Sequence, residues 1–208
     1  ISEVRQLESQ FNPHFLFNTL ENIKFMTKLD SDAAMRMITA LSGLLRYSID
    51  SRVQRVPLAE DIRHLGNYVE IQRQRFGARL RYRQEIAEEA EDCLVPKLLL
   101  QPIVENAIHY GADAEGAIDI TTQISVADGQ LHIVIEDRGV GMDEETLYRL
   151  RAMMARGENR SVHTGVYNIH RRIQLLYGME YGMEISRRTE GGTRVAMVLP
   201  ADDGKGAE

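Results

Sequence analysis

Apolar residues recur at helical spacing from the start of the chain to about residue 29. Phe15, Leu16, Leu20, Ile23 and Met26 fall on one side of that helix. His14 heads a mostly polar stripe on the other side, with Asn18, Glu21 and Lys28. Pro13 removes a backbone donor just before the histidine and is expected to bend the helix there. Asp30-Ser31-Asp32 reads as a break with an N-cap signal. A second amphipathic helix follows over residues 32–49, with Ala33, Met37, Leu41, Leu44 and Leu45 on its apolar face. Two helices with so short a connection form an antiparallel hairpin. Such a hairpin has little core of its own, and pairing with a second copy into a four-helix bundle is the simplest remedy.

Residues 51–55 are polar and read as a linker. Pro57 opens a third helix that runs to Phe76, with Leu58, Ile62, Leu65, Tyr68, Val69 and Gln72 along one face, and Gly77 ends it. A strand over 79–86 and an acidic loop over 88–92 come next. From Pro96 the texture changes: residues 97–110 predict a strongly apolar helix, broken at Gly111. Strands are expected over 117–126 and 131–136, around a turn at Asp128-Gly129. A short helix over 143–156, a polar mobile stretch over 157–164 and a helix over 165–177 follow. A hairpin of 183–188 and 193–199 closes the pattern, and the tail from 201 is expected to fray. The fold class is therefore α+β: a helical hairpin, a linker, then helices packed on one face of a sheet.

Composition narrows the function. The chain carries a formal net charge of -6 and no long basic tract, which argues against nucleic acid as a partner. Cys93 is the only cysteine, so there is no internal disulfide and no cysteine-based metal cluster, as suits a reducing compartment. No apolar run approaches the ~20 residues of a membrane span. The chain begins at Ile1 without a signal-like segment and reads as a fragment of a longer protein, with any membrane anchor upstream.

The chemistry-bearing positions are few. Asp137-Arg138-Gly139-Val140-Gly141 follows a buried strand. The carboxylate there can accept a hydrogen bond from an exocyclic amine, and the glycines let the backbone approach a ligand; the same string also suits a plain tight turn. Asn106 is a polar residue in an apolar helix, either bonded to a neighbouring loop or a neutral oxygen ligand for Mg²⁺. Glu105 beside it is a helper or simply solvated. Gly165 opens a helix, a place suited to phosphate. Thr193, after Gly191-Gly192, can support Asp137 from the neighbouring strand. A neutral imidazole such as that of His14 is a competent nucleophile near pH 7. His64, His132 and His170 read as structural. Zinc-ligand spacing and a glycine-flanked serine elbow are absent.

Taken in order, these positions resemble a known family. Leu99-Leu100-Gln101-Pro102-Ile103-Val104-Glu105-Asn106-Ala107-Ile108, then Asp137-x-Gly139-x-Gly141, Gly165-Val166-x-Asn168 with Arg172, and Gly192-Thr193 resemble the ATP-binding domain of sensor histidine kinases. This is the gyrase/Hsp90/histidine-kinase/MutL (GHKL, or Bergerat) α/β sandwich. Pro13-His14-Phe15-Leu16-Phe17-Asn18 is similar to the phosphoacceptor motif of the LytS-type branch, as are Leu44-Leu45-Arg46-Tyr47, Asn67-Tyr68-Val69-Glu70-Ile71-Gln72 and Arg75-Phe76.

The resemblance implies a dimerisation and phosphotransfer hairpin over 1–53, a catalytic ATP-binding domain over 54–200 and a frayed tail over 201–208. It implies that His14 takes the γ-phosphoryl group of ATP and passes it to an aspartate of a response regulator. Asn106 would ligate Mg²⁺. Asp137 would bind the adenine amine, with Thr193 near it. Gly139, Gly141 and Gly165 would shape the pocket walls, and His109 and Tyr110 would lie near the phosphates. Residues 143–164 would be a lid. The chain would be the cytoplasmic portion of a membrane-anchored homodimer.

Three positions depart from the family pattern. His163 stands where glycine is usual, His109 where lysine is usual, and Arg138 where asparagine is common. Phe15 occupies the place of the acidic residue that often follows the histidine, so Asn18 and Glu21 are the nearest candidates to orient it. Two other readings stay open: a GHKL-fold ATPase or serine kinase, and a nucleotide-weak, non-enzymatic dimeric signalling module.

Overall fold

The architecture comes from a computed structural model that describes residues 13–49, 54–156, 164–202 and 204. The described part opens with two antiparallel helices, α1 (Pro13–Leu29) and α2 (Ser31–Ile49). Asp30 makes the turn: its main-chain N–H donates to Met26 O, and its Oδ1 accepts from Ala33 N at 2.9 Å, an N-cap for α2. Ala33, Met37, Leu41 and Leu44 are buried as their spacing predicts. On α1 the packed arc runs through Phe15, Thr19 and Ile23, and Thr19 satisfies its hydroxyl by donating to Phe15 O at 2.8 Å. Leu20, expected on that arc, is instead 49% exposed, because the arc centres on Thr19 and leaves Leu20 at its edge.

The hairpin finds its missing core in α3 (Leu58–Phe76). Pro57 precedes the first turn, where its absent N–H costs nothing. Phe15 meets Tyr68 with ring centroids 5.2 Å apart, and Tyr47 stacks on His64 at 3.5 Å. Gly43 lets α2 approach α3 closely; a β-carbon there would lie 3.0 Å from Asn67 Nδ2. Met37, Leu44, Leu58, Leu65, Tyr68 and Ile71 are all fully buried. Each aliphatic one contributes about 1.5–3 kcal/mol of transfer free energy.

The expected linker is tied down at its far end. Residue 55 opens β1 (Arg55–Pro57), which pairs antiparallel with β3 (Leu94–Pro96), and Lys97 N donates to Gln54 O at 3.0 Å. Residues 51–53 lie outside the described part. The main sheet has the order β2-β4-β5-β7-β6: β2 (Leu80–Ile86), β4 (Ile118–Ala127), β5 (Gln130–Asp137), β7 (Thr193–Pro200) and β6 (Gly182–Arg187). β2 and β4 are parallel and the other pairs antiparallel. Along β5, Leu131, Ile133, Ile135 and Asp137 face the core in strict alternation. Three helices pack against the sheet: α4 (Gln101–Tyr110), α5 (Glu144–Arg156) and α6 (Thr164–Tyr177).

Two expectations change here. The helix expected from residue 97 starts at Gln101. Asp61, from α3, captures the N–H groups of Leu98 (2.8 Å) and Leu100 (3.0 Å), and Leu98 turns into the left-handed region at φ 56°, so 97–100 form a strap rather than a helical turn. The start of the tail is docked: Ala201 N donates to Gly129 O, Leu94 N to Asp202 O, and Arg55 pairs with Asp202 at 3.0 Å. No helix among the described residues is long and apolar enough to cross a membrane.

Candidate functional site

The sheet delivers Asp137 to the end of β5, where it is buried. Its Oδ1 accepts from Gly139 N at 3.0 Å and from Thr193 N, on the adjacent β7, at 3.2 Å. Burial pushes the carboxyl up from its ordinary range, opposed by the Gly139 and Thr193 hydrogen bonds and by Arg188. A carboxylate with about four lone-pair positions retains capacity for a ligand amine beyond these two amides.

The pocket around it is built from backbone. A β-carbon on Gly139 would overlap the main chain of Gly111, one on Gly111 would meet Asp137 Cβ at 2.7 Å, and one on Gly192 would overlap the carbonyl of Asp137. At Gly141, φ is 74° and a β-carbon would lie 2.9 Å from Gly192 O. The 137–141 turn is pinned from below, since Arg138 N donates to Asp119 O and Val140 N to Ala112 O. Gly139, Gly141 and Thr193 thus converge on Asp137 as expected. Gly192, expected beside Thr193, packs on the Asp137 carbonyl, and Gly111 joins them, although in the sequence it marks only a helix end. Arg188 is a further addition with no sequence signal. Its Nη1 donates to Asp137 O at 3.2 Å and to Gly191 O at 3.1 Å, and its Nε lies 3.3 Å from Glu136 Oε2. It ties the two sides of the pocket together.

Gly111 also joins α4 to this pocket. On α4, Asn106 is half-buried while Ile103, Val104, Ala107 and Ile108 face the core. His109 and Tyr110 are exposed at the helix end, their rings 4.5 Å apart in a T-shape. Among the described residues no group of three or more His, Cys, Asp or Glu is placed to hold a metal ion. The expected Mg²⁺ ligand, Asn106, offers a neutral amide oxygen on α4. Gly165, at the start of α6, faces Pro102 of α4 with 3.6 Å left for a β-carbon, and its φ is not positive. Of the expected lid, 143–164, residues 144–156 form α5, while 157–163, His163 among them, lie outside the described residues.

His14 lies in α1, and its side chain lies outside the described part. Phe15 is buried against Tyr68, their ring centroids 5.2 Å apart. Asn18, one turn on, is half-buried; Glu21 is exposed, 3.5 Å from Lys24. The hairpin residues thus form a group separate from the Asp137 pocket.

Two family models cover the chain: that of the histidine kinases over residues 2–80, and that of the histidine kinase-, DNA gyrase B- and HSP90-like ATPases over residues 92–203. The chain belongs to the histidine kinase-, DNA gyrase B- and HSP90-like ATPase family. The sensor protein kinase HptS of Staphylococcus aureus is 32% identical over 202 residues, covering 97% of this chain and 39% of the relative. The chain spans about two fifths of the length of such relatives. Among solved structures, the catalytic domain of the histidine kinase ThkA matches with a TM-score of 0.55 at 16% identity, covering 71% of this chain and 95% of that one. A blue-light activated histidine kinase of Erythrobacter litoralis, EL346, matches with a TM-score of 0.50 at 17% identity, covering 98% and 61%. These two likenesses speak for the fold. Within the family's ATP-binding region lie Asn106, Asp137, the glycine-lined turn and Thr193.

Proposed function

We propose that this chain is the ATP-using portion of a sensor histidine kinase that phosphorylates itself on His14 and hands the phosphoryl group to an aspartate of a response regulator. The observation that carries it is the Asp137 pocket: a buried carboxylate with glycine backbone packed against it on two sides, inside a domain of this ATPase family. Asp137 accepts a hydrogen bond from the adenine amine, and Thr193 keeps its carboxylate in place. Gly139 and Gly141 keep side chains out of the base's way. Gly165, which packing does not require to be glycine, admits the phosphates to the start of α6. His109 and Tyr110 close the far side.

Asn106 would hold Mg²⁺ together with the phosphates, and the ion would neutralise charge on the transferring group. The His14 lone pair attacks the γ-phosphorus. A P–N bond forms as the bond to the β–γ bridging oxygen breaks, and ADP leaves with that electron pair. The proton on the other ring nitrogen is then released to solvent, which leaves a neutral phosphoimidazole ring. Asn18 orients the imidazole or its phosphoryl group, and Glu21 is the alternative.

The unit is a homodimer. Phe17 (69%), Leu20 (49%), Met35 (63%) and Ile38 (42%) leave an apolar face exposed on the hairpin, which a second copy covers as a four-helix bundle. The whole protein is a longer, membrane-anchored sensor with this part in the cytoplasm, where ATP and the response regulator are found.

Incubation with Mg²⁺ and γ-labelled ATP tests this reading. The wild type acquires acid-labile label, His14→Gln abolishes it, and Asn106→Asp suppresses it. Label that survives His14→Gln sinks the phosphoacceptor assignment. Absence of both labelling and nucleotide binding favours a non-enzymatic module, and ATP turnover without label favours an ATPase.

A further inference from the structure

Apart from Asp137, Asp61 is the one buried carboxylate among the described residues, 2% exposed on α3. It takes part in no step of the proposed chemistry, yet it is bonded to two other segments. Its Oδ1 accepts from Tyr47 Oη at 3.0 Å and from Leu98 N at 2.8 Å, and its Oδ2 accepts from Leu100 N at 3.0 Å. Tyr47 stands in the last turns of α2, the second helix of the hairpin that carries His14. Leu98 and Leu100 belong to the strap that leads directly into α4, the helix of Asn106.

The strap has further ties. The Lys97 ammonium lies over the Tyr47 ring, 4.5 Å from its centroid. Lys97 O accepts from Arg172 Nη2 of α6 at 2.6 Å. The Tyr47 ring is also stacked on the His64 ring, at 3.5 Å and 13°. One carboxylate thus gathers α2, α3 and the strap, and the strap in turn holds α4 and α6, the two helices that flank the nucleotide pocket. The strap keeps a leucine at φ 56°, a conformation that persists only when its surroundings impose it.

We propose that Asp61 is a positioning residue for phosphoryl transfer: through Tyr47 and the Leu98 and Leu100 amides it fixes the orientation of the nucleotide domain relative to the helix pair that carries His14. The proposal rests on the reading of His14 as acceptor. In-line transfer between two separately built units depends steeply on their mutual placement. A clamp at their junction therefore acts on the rate of transfer and not on how ATP is held.

Tyr47→Phe is the decisive variant. It deletes the hydroxyl that joins α2 to Asp61 and leaves the ring stack and both strap amides in place. The initial rate of His14 labelling at saturating ATP is expected to fall at least about tenfold, with the affinity for a fluorescent ATP analogue unchanged, while the urea midpoint drops as the loss of one buried hydrogen bond requires. Asp61→Asn is expected to lower the rate too, and the double variant is expected to be no slower than the slower single one, because both remove one link. A Tyr47→Phe variant that labels at the wild-type rate, labels faster, or loses ATP affinity in proportion to rate overturns the clamp while leaving the His14 assignment intact. Additive losses in the double variant overturn it as well. A wild type that never acquires label defeats both readings.

Discussion

The α-carbon of Gly192 rests against the main-chain carbonyl of Asp137, and a β-carbon there would overlap the oxygen. The contact sets how far β7 can approach the end of β5, and so where Thr193 N meets the Asp137 carboxylate. Gly192 also holds φ at 92°, which other residues rarely adopt. Gly192→Ala is expected to cost about 2–4 kcal/mol of stability and to abolish ATP binding, because Asp137 must move. Gly165→Ala makes the contrast: with room against Pro102 it folds like the wild type. Urea unfolding beside titration with a fluorescent ATP analogue separates the two. A Gly192→Ala protein that binds normally would show that the close approach is dispensable.

Arg188 holds the same pocket from outside. It donates to the carbonyls of both Asp137 and Gly191 while paired with Glu136. Arg188→Gln is expected to weaken ATP binding roughly tenfold and stability by about 1–2 kcal/mol. Arg188→Lys should not restore binding, since a single ammonium cannot span two carbonyls and a carboxylate as the guanidinium does. Isothermal titration of the two variants decides it, and full recovery in the lysine variant counts against the bridging role.

The parts of this fold that could be read in the sequence are those governed by near neighbours. Leu131, Ile133 and Ile135 alternate because one face of β5 meets the core, and period two records it directly. Asp128 and Gly129 mark their turn by their own backbone preference, both with positive φ. The start of α4 was not legible. The expected helix begins at residue 97, but Leu98 is held in the left-handed region at φ 56°, with Asp61, far upstream, accepting from the Leu98 and Leu100 amides. The pairing of β1 with β3 was hidden for the same reason, as three residues carry no period. In the site, Asp137, Gly139, Gly141 and Thr193 could be identified by type and order. Gly192 could be identified by its place before Thr193, whereas Gly111 and Arg188 matter through contacts that only the folded chain creates.

His64 makes stability depend on pH. Its imidazole is held down from the ordinary 6.5 to about 4, first by burial and then by Arg63 and Lys97. The geometry agrees: Nδ1 is buried with no hydrogen-bond partner, so a proton there would have no acceptor. As pH falls through 6.5 the unfolded chain takes up a proton that the folded one refuses until about 4. The stability is therefore complete above 6.5 and is lost progressively down to about 4. His170, also lowered by burial, adds a smaller slope of the same sign. Thermal melts at steps across this window should show Tm falling with pH in the wild type and a flatter line in His64→Gln. Equal slopes in both proteins would remove His64 as the source.

The exposed apolar face of the hairpin predicts the behaviour of the assembly. Leu20 on α1 and Ile38 on α2 remain exposed although their helices are otherwise well packed, so a charge at either place disturbs nothing inside one chain. Leu20→Glu with Ile38→Glu is expected to change monomer stability by less than about 0.5 kcal/mol. In a paired bundle the same change would bury like charges against each other and against apolar side chains. Sedimentation should therefore show the wild type as a dimer and the double variant as a monomer. ATP binding should be unchanged, because Asp137 and its glycines belong to the sheet and its turns and not to the hairpin. If the double variant remains dimeric, the chains pair through some other surface, and the four-helix bundle is the wrong arrangement.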